Sequence, residues 1–446
     1  MSWKLDRREF FKIAGLAGLG AVLPPFSKSA FAETGHYGGP YFIAIHAGGA
    51  WDPAFLCDPK NNAELNRITL AEGTSGRIKY AALPVDASAL GLEAQYADAY
   101  NQHLMTNEAF FAAHGSRLTI LNGVDTSTNN HETGTRVVWS GRIAEDYPSL
   151  SALVAATRGP TNTMSFISAG GYDATNGLVP LTRVSNPGSL ARVADPNVHD
   201  PNRADSETYH AHSTFDRIKA AQAERLAAQQ AAAGLPATRR AMGELILARA
   251  TSADLERLVL PESLVTIPGY QLGDLQSLMQ QTQLAMSAFE AGLAVSANLV
   301  LGGFDTHANH DRDQRRQLAK LLHGIDYVVK EATRRNILDK VVIVVGSDFG
   351  RGPRYNGPGD YSGKDHWPIT SMMLLGAGIE GNRVIGATDA DQKPLGVDPT
   401  TLATSATGTK LTPAVIQKAL RRKLGIDAGD PAKKYGLSGA DLALFG

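Results

Sequence analysis

The chain has 446 residues, 43% hydrophobic and 20% charged. That balance is ordinary for a globular protein, and the length suits a large α/β domain with insertions better than one simple core of roughly 100–200 residues. With 43 Lys+Arg against 44 Asp+Glu the formal charge is −1, so no global field draws the chain to nucleic acid or anionic lipid, and the one cysteine, Cys57, excludes an intrachain disulfide and a zinc knuckle.

The N-terminus carries Asp6-Arg7-Arg8-Glu9-Phe10-Phe11-Lys12, an apolar run from Ile13 to Leu23, and then Ala30-Phe31-Ala32. Paired arginines, a modest apolar run and an Ala-x-Ala site are the parts of a twin-arginine export signal. The run is about half the length a spanning helix needs. Residues 1–32 are therefore expected to be a cleaved signal read by the twin-arginine translocase. The mature chain, 33–446, is expected in the periplasm or outside the cell, with no stable membrane span.

Short apolar runs follow, each leading into Gly, Asp or His. Tyr41–Ile45 leads to Asp52, Arg117–Leu121 to Asp125, and Met164–Ile167 to Asp173; Ala297–Leu301 leads to Asp305 and His307, and Val341–Val345 to Asp348. Unbroken apolar runs suit strands buried on both faces of a largely parallel sheet. Helical patterns separate them: Leu272, Leu275, Leu278, Met279, Met286, Phe289 and Leu293 mark one apolar face, and Leu318, Leu321, Leu322, Ile325, Val328 and Val329 another. Alternation of the two means α/β with right-handed crossovers. The Ala-, Gln- and Arg-rich stretch at about 205–260 reads as a helical insertion. Pro413–Leu424 reads as a closing helix, with Thr412 as N-cap and Gly425 as stop.

In an open parallel sheet, ligands bind beyond the carboxyl ends of the strands. Those ends collect Asp52, Asp305, His307 and Asp348, with His310 and His366 in adjoining loops. Carboxylate and imidazole donors together suit Zn, Mn or a similar divalent ion, one or two in number. Singly, each has a plainer reading as a cap, a turn former or a solvated side chain.

Three ordered motifs carry a resemblance: Gly302-Gly-Phe-Asp-Thr-His307, Ser347-Asp-Phe-Gly-Arg351 and Lys364-Asp-His366. Together they resemble a secreted bacterial family of unknown function placed in the alkaline phosphatase–sulfatase superfamily. The resemblance implies a three-layer α/β fold, a mainly parallel sheet flanked by helices, and a divalent metal (Zn, Mn or Ca). It also implies hydrolysis of phosphate or sulfate esters on a small-molecule or polymer substrate. Carried over by motif, the metal ligands would be Asp52, Asp305, His307 or His310, Asp348 and His366. Ser127-Thr-Asn-Asn-His131 resembles the nucleophile segment of the phosphodiesterase branch, so Ser127 or Thr128 would attack and His131 would assist or bind substrate. Arg351 would hold the substrate anion, or else pair with a carboxylate.

The sequence departs from that pattern at two points. Phe349 stands where the superfamily has a second-metal His, and the nucleophile segment has no Cys, which excludes a formylglycine mechanism. Two functions follow as expectations: a periplasmic metal-dependent ester hydrolase, or a binding or assembly protein that keeps the fold without turnover.

Overall fold

The structure, a computed structural model, describes residues 37–184, 196–199, 206–239, 241–242, 245, 258, 261 and 264–445. The segment 1–32 and parts of 185–206 and 205–260 lie outside the described residues. In chain order the strands that matter here are β1 Tyr41–Ala47, β2 Thr119–Asp125, β3 Phe166–Ser168, β4 Leu181–Arg183, β5 Ser296–Leu301 and β6 Val341–Ser347. There follow a hairpin of β7 Gly350–Tyr355 and β8 Lys364–Trp367, then β9 Ile369–Gly376 and β10 Arg383–Ile385. Apart from the hairpin, these strands form an eight-stranded sheet in the spatial order β10-β2-β9-β6-β1-β5-β3-β4.

Every neighbouring pair is parallel except those made by β9, which runs antiparallel to both β2 and β6. The largely parallel sheet is as expected, and β9 is the departure. It enters from the β7–β8 hairpin, which crosses no face of the sheet, and so returns antiparallel beside β6. The register of β1 aligns Ala47 with Leu301 of β5 and with Ser347 of β6. Three strands thus end level, and the residues after them emerge along one edge.

The central strands β1 and β6 are buried along their whole length. Alternate β1 residues divide between two apolar clusters. Tyr41, Ile43 and Ile45 pack with residues of α4 Gly273–Glu290 and α5 His310–Arg334, while Phe42 and Ala44 pack with α1 His131–Ser140, α2 Leu150–Arg158 and α6 Pro413–Lys423. Both faces are therefore covered, giving three layers. Each fully buried Leu or Phe adds about 1.5–3 kcal/mol. The closing helix forms where its signals place it: Thr412 Oγ1 accepts from Val415 N at 3.4 Å, Pro413 starts the first turn, and Gly425 follows with φ +61°. Within the insertion stretch, α3 His212–Ala232 buries only Leu226 and Gln230. Among the described residues no helix is long and apolar enough to cross a membrane.

Candidate functional site

Five laterally adjacent strands deliver polar residues to one edge. His131 follows β2, His366 precedes β9, Asp348 follows β6, Asp52 follows β1, and Asp305, His307 and His310 follow β5. The reversed direction of β9 brings His366, which lies before its strand, to the edge where the others lie after theirs.

His131, Asp305 and His366 each offer a donor atom within 4.8 Å of the others, the one such group of three or more among the described residues. Asp305 Oδ1 lies 3.2 Å from His366 Nε2 and 3.1 Å from His307 Nε2, and the two histidine nitrogens are 2.9 Å apart. His131 Nε2 is 3.5 Å from Asp305 Oδ2. Around a tetrahedral zinc with bonds near 2 Å, neighbouring ligand atoms sit roughly 3.3 Å apart. The observed spacings bracket that value. After β5 the chain alternates, Phe304 and Thr306 buried and Asp305 and His307 exposed, which turns both donors to the open side.

The tautomers suit an ion. His366 Nδ1 faces the Asn129 carbonyl at 2.7 Å, an oxygen that only accepts, so Nδ1 carries a proton and Nε2 is the nitrogen turned toward Asp305. His131 Nδ1 bonds Asp348 Oδ2, which leaves Nε2 as the nitrogen turned toward Asp305. That Nε2 is buried without a hydrogen-bond partner. The bond to Asp348 raises the His131 pKa above the ordinary histidine value, with burial opposing it. Burial alone would raise Asp305, but the Arg351 and His366 bonds and the guanidinium charge outweigh it and hold that carboxyl at about 2. These side chains fit a single divalent ion, with His307 beside it.

Asp348 is saturated. Its Oδ1 accepts from Ala50 N at 2.6 Å, Gly49 N at 3.2 Å and Ser347 Oγ at 2.9 Å, and the residue is 1% exposed. Gly49 and Ala50 both have positive φ, which points successive N–H groups at one carboxylate, an anion-binding nest. A Cβ on Gly49 would come within 2.5 Å of Asp305 N, so only glycine permits this turn beside the donor group. Gly134 plays the corresponding part on α1. A Cβ there would meet the Asp348 carbonyl oxygen at 2.5 Å and the Phe349 ring at 2.9 Å. Its absence lets the start of α1 come close enough for His131 to reach Asp348.

Asp52 and His310 meet each other instead of this group. Asp52 Oδ2 takes His310 Nε2 at 3.0 Å and Lys364 Nζ at 2.6 Å, while Oδ1 accepts from Ala54 N at 2.9 Å. His310 Nδ1 pairs with Thr306 Oγ1 at 2.8 Å, and Asp52, His310 and Lys364 have no exposed surface. Burial holds His310 down at about 4 against the pull of Asp52. Burial pushes Asp52 up, but Lys364 and His310 outweigh it and lower its pKa. Arg351 is likewise 0% exposed and donates to Ala50 O at 3.0 Å, Lys364 O at 3.0 Å, Gly49 O and Asp305 Oδ1.

Ser127 and Thr128 sit on the loop from β2 into α1. Asp125 Oδ1 accepts from Ser127 N at 2.9 Å and Oγ at 3.2 Å, and Thr128 Oγ1 accepts from Asn130 N at 3.2 Å. Neither hydroxyl belongs to the donor group. Phe349 is fully buried, its ring 4.9 Å from that of His131 and 4.6 Å from that of His366. Sequence reasoning gave no role to Lys364, Gly134 or His46. His46 is a buried histidine whose Nδ1 accepts from Trp139 Nε1 at 3.1 Å. The helix His131–Ser140 itself was not among the expected elements, and nothing local showed which of its residues meets Asp348.

Among solved structures, the chain is similar to the PsFucS1 sulfatase from Pseudoalteromonas sp., with 10% identity, 99% of this chain and 76% of that one covered, and a TM-score of 0.38. It is similar to a protein in the alkaline phosphatase superfamily from Vibrio parahaemolyticus, with 8% identity, 96% and 78% covered, and a TM-score of 0.36. The lipoteichoic acid synthase LtaP from Listeria monocytogenes gives 9%, 92% and 76%, and 0.36. Likenesses this distant transfer no substrate, metal or mechanism. No curated protein matches the chain. Residues 41–433 match the family described as Protein of unknown function (DUF1501), and the chain belongs to that family.

Proposed function

We propose that the chain is an exported, metal-dependent hydrolase of phosphate or sulfate esters. The observation that carries this reading is the convergence of His131, Asp305 and His366 at one sheet edge, with His131 Nε2 buried, without a hydrogen-bond partner and 3.5 Å from Asp305 Oδ2. These three, with His307, would hold the ion, which when bound would polarise an ester oxygen and lower the pKa of an attacking hydroxyl. Asp348 orients His131, and Arg351, with no exposed surface, acts through Asp305 as a positioning residue. The attacking hydroxyl in this reading is Ser127 or Thr128, on the loop that delivers His131. Export rests on the arginine pair and apolar run of residues 1–32, with the twin-arginine translocase as the transient partner.

The test is turnover of aryl phosphate monoesters, diesters and sulfates by protein loaded with Zn²⁺, Mn²⁺ or Ca²⁺. The expected result is activity with at least one ion, lost in H131A and H366A, and lost in S127A or T128A according to which hydroxyl attacks. No turnover under any of these conditions ends the hydrolase reading. The second reading is a binding or assembly protein that keeps the fold. It is favoured by one observation, the apolar Phe349 ring packed against both His131 and His366.

A further inference from the structure

The guanidinium of Arg351 sits in a cage of oxygens: the Gly49, Ala50 and Lys364 carbonyls and Asp305 Oδ1. Four oxygens converging on one fully buried positive group is the environment a hard cation takes. Here a permanently charged side chain fills it. The neighbouring ammonium of Lys364 is held the same way, by Asp52 Oδ2 at 2.6 Å and Leu65 O at 2.5 Å, with the Phe55 and Tyr355 rings 5.2 and 5.0 Å away. The remaining strand-end donors are committed. Both oxygens of Asp348 and both of Asp52 are engaged, as are both nitrogens of His310. Phe349 adds no ligand atom.

We infer that the site accepts one exchangeable divalent ion per chain, because Arg351 is built in as the second cation. The inference rests on the metal-binding part of the functional reading and deepens it. Asp305 Oδ1 takes Arg351 on one side and faces His366 and His307 on the other, while Oδ2 faces His131. The aspartate therefore bridges a fixed charge and a removable one. An anionic ester at the site would meet one ion backed by a guanidinium that chelators cannot extract.

The test is stoichiometry on the whole purified protein, stripped with chelator and titrated with Co²⁺ by absorption and with Zn²⁺ by calorimetry. One equivalent is expected, abolished in H131A and in H366A. Loss of a fully buried guanidinium threatens the fold, so R351K, which keeps the charge, is the second variant, and it too should bind one equivalent. Zero or two equivalents in the wild-type protein overturn the inference. So does a wild-type stoichiometry of one that survives in H131A and H366A, since the ion then lies elsewhere. Turnover of an aryl phosphate in the same samples reports separately on the proposed activity. One ion without turnover removes the hydrolase and leaves the inference standing, and two ions with turnover does the reverse.

Discussion

The Asp348 carboxylate accepts a hydrogen bond from His131 Nδ1–H, and that bond aims the opposite ring nitrogen at Asp305. Second partners of this kind set ligand orientation and basicity, and their loss costs about 10–100-fold in metal affinity. D348N should therefore weaken Zn²⁺ binding by that factor without changing its stoichiometry. Competition against a chromophoric chelator reads it directly. Unchanged affinity would remove the orienting role.

Lys364 and Asp52 form a pair with no exposed surface. Removing one partner of a buried pair strands the other charge, at about 3–5 kcal/mol. K364M should lower stability by that amount in urea denaturation, and the double variant D52N/K364M should recover part of it. A double variant as unstable as the sum of the two singles would show that the pair is not coupled.

Buried histidines carry acid sensitivity, His310 and His323 among them. Burial depresses both His310 and His323 to about 4, against 6.5 for a free histidine. Between those values the unfolded chain binds protons that the folded chain refuses, so stability rises with pH in this window. The contribution is complete above 6.5 and falls away as pH drops toward 4, by up to about 3 kcal/mol for each group. Denaturation midpoints at pH 7 and pH 5 should differ in that direction, and H323N should shrink the difference.

Gly134 is a spacing residue. G134A gains helix propensity of about 1 kcal/mol but forces a methyl against Asp348 and Phe349, an overpacking that costs about 1–3 kcal/mol. The expected outcome is a modest net loss of stability together with weaker Zn²⁺ binding, because α1 is pushed outward and His131 with it. Thermal melts and the chelator competition check the two effects separately.

The central strands were legible because both of their faces are buried. Runs such as Val341–Val345 contain no polar residue to blur the period, and the chemistry-bearing residues follow at once. β9 was less legible, because Thr370 and Ser371 interrupt its apolar run and its functional neighbour His366 precedes the strand instead of following it. The identities of the acidic and imidazole residues were readable, but their grouping was not. Asp52 and Asp305 each follow a strand, yet one caps Ala54 and pairs inward while the other faces outward. That difference is set by Lys364 and Arg351, which reach them from more than 40 residues away. No local spacing encodes it.

A single residue, Pro368, joins the hairpin strand carrying His366 to β9, and its carbonyl accepts from both Thr126 N and Thr126 Oγ1 at 2.9 Å. That one oxygen clamps the chain leading to His131 onto the chain leaving His366. The two imidazoles are thus held in place by sheet geometry before any ion arrives, and loading has little ordering entropy to overcome. Chelation should accordingly leave the circular dichroism spectrum and the amide exchange of β9 nearly unchanged, the behaviour of a socket rather than of a metal-folded knot.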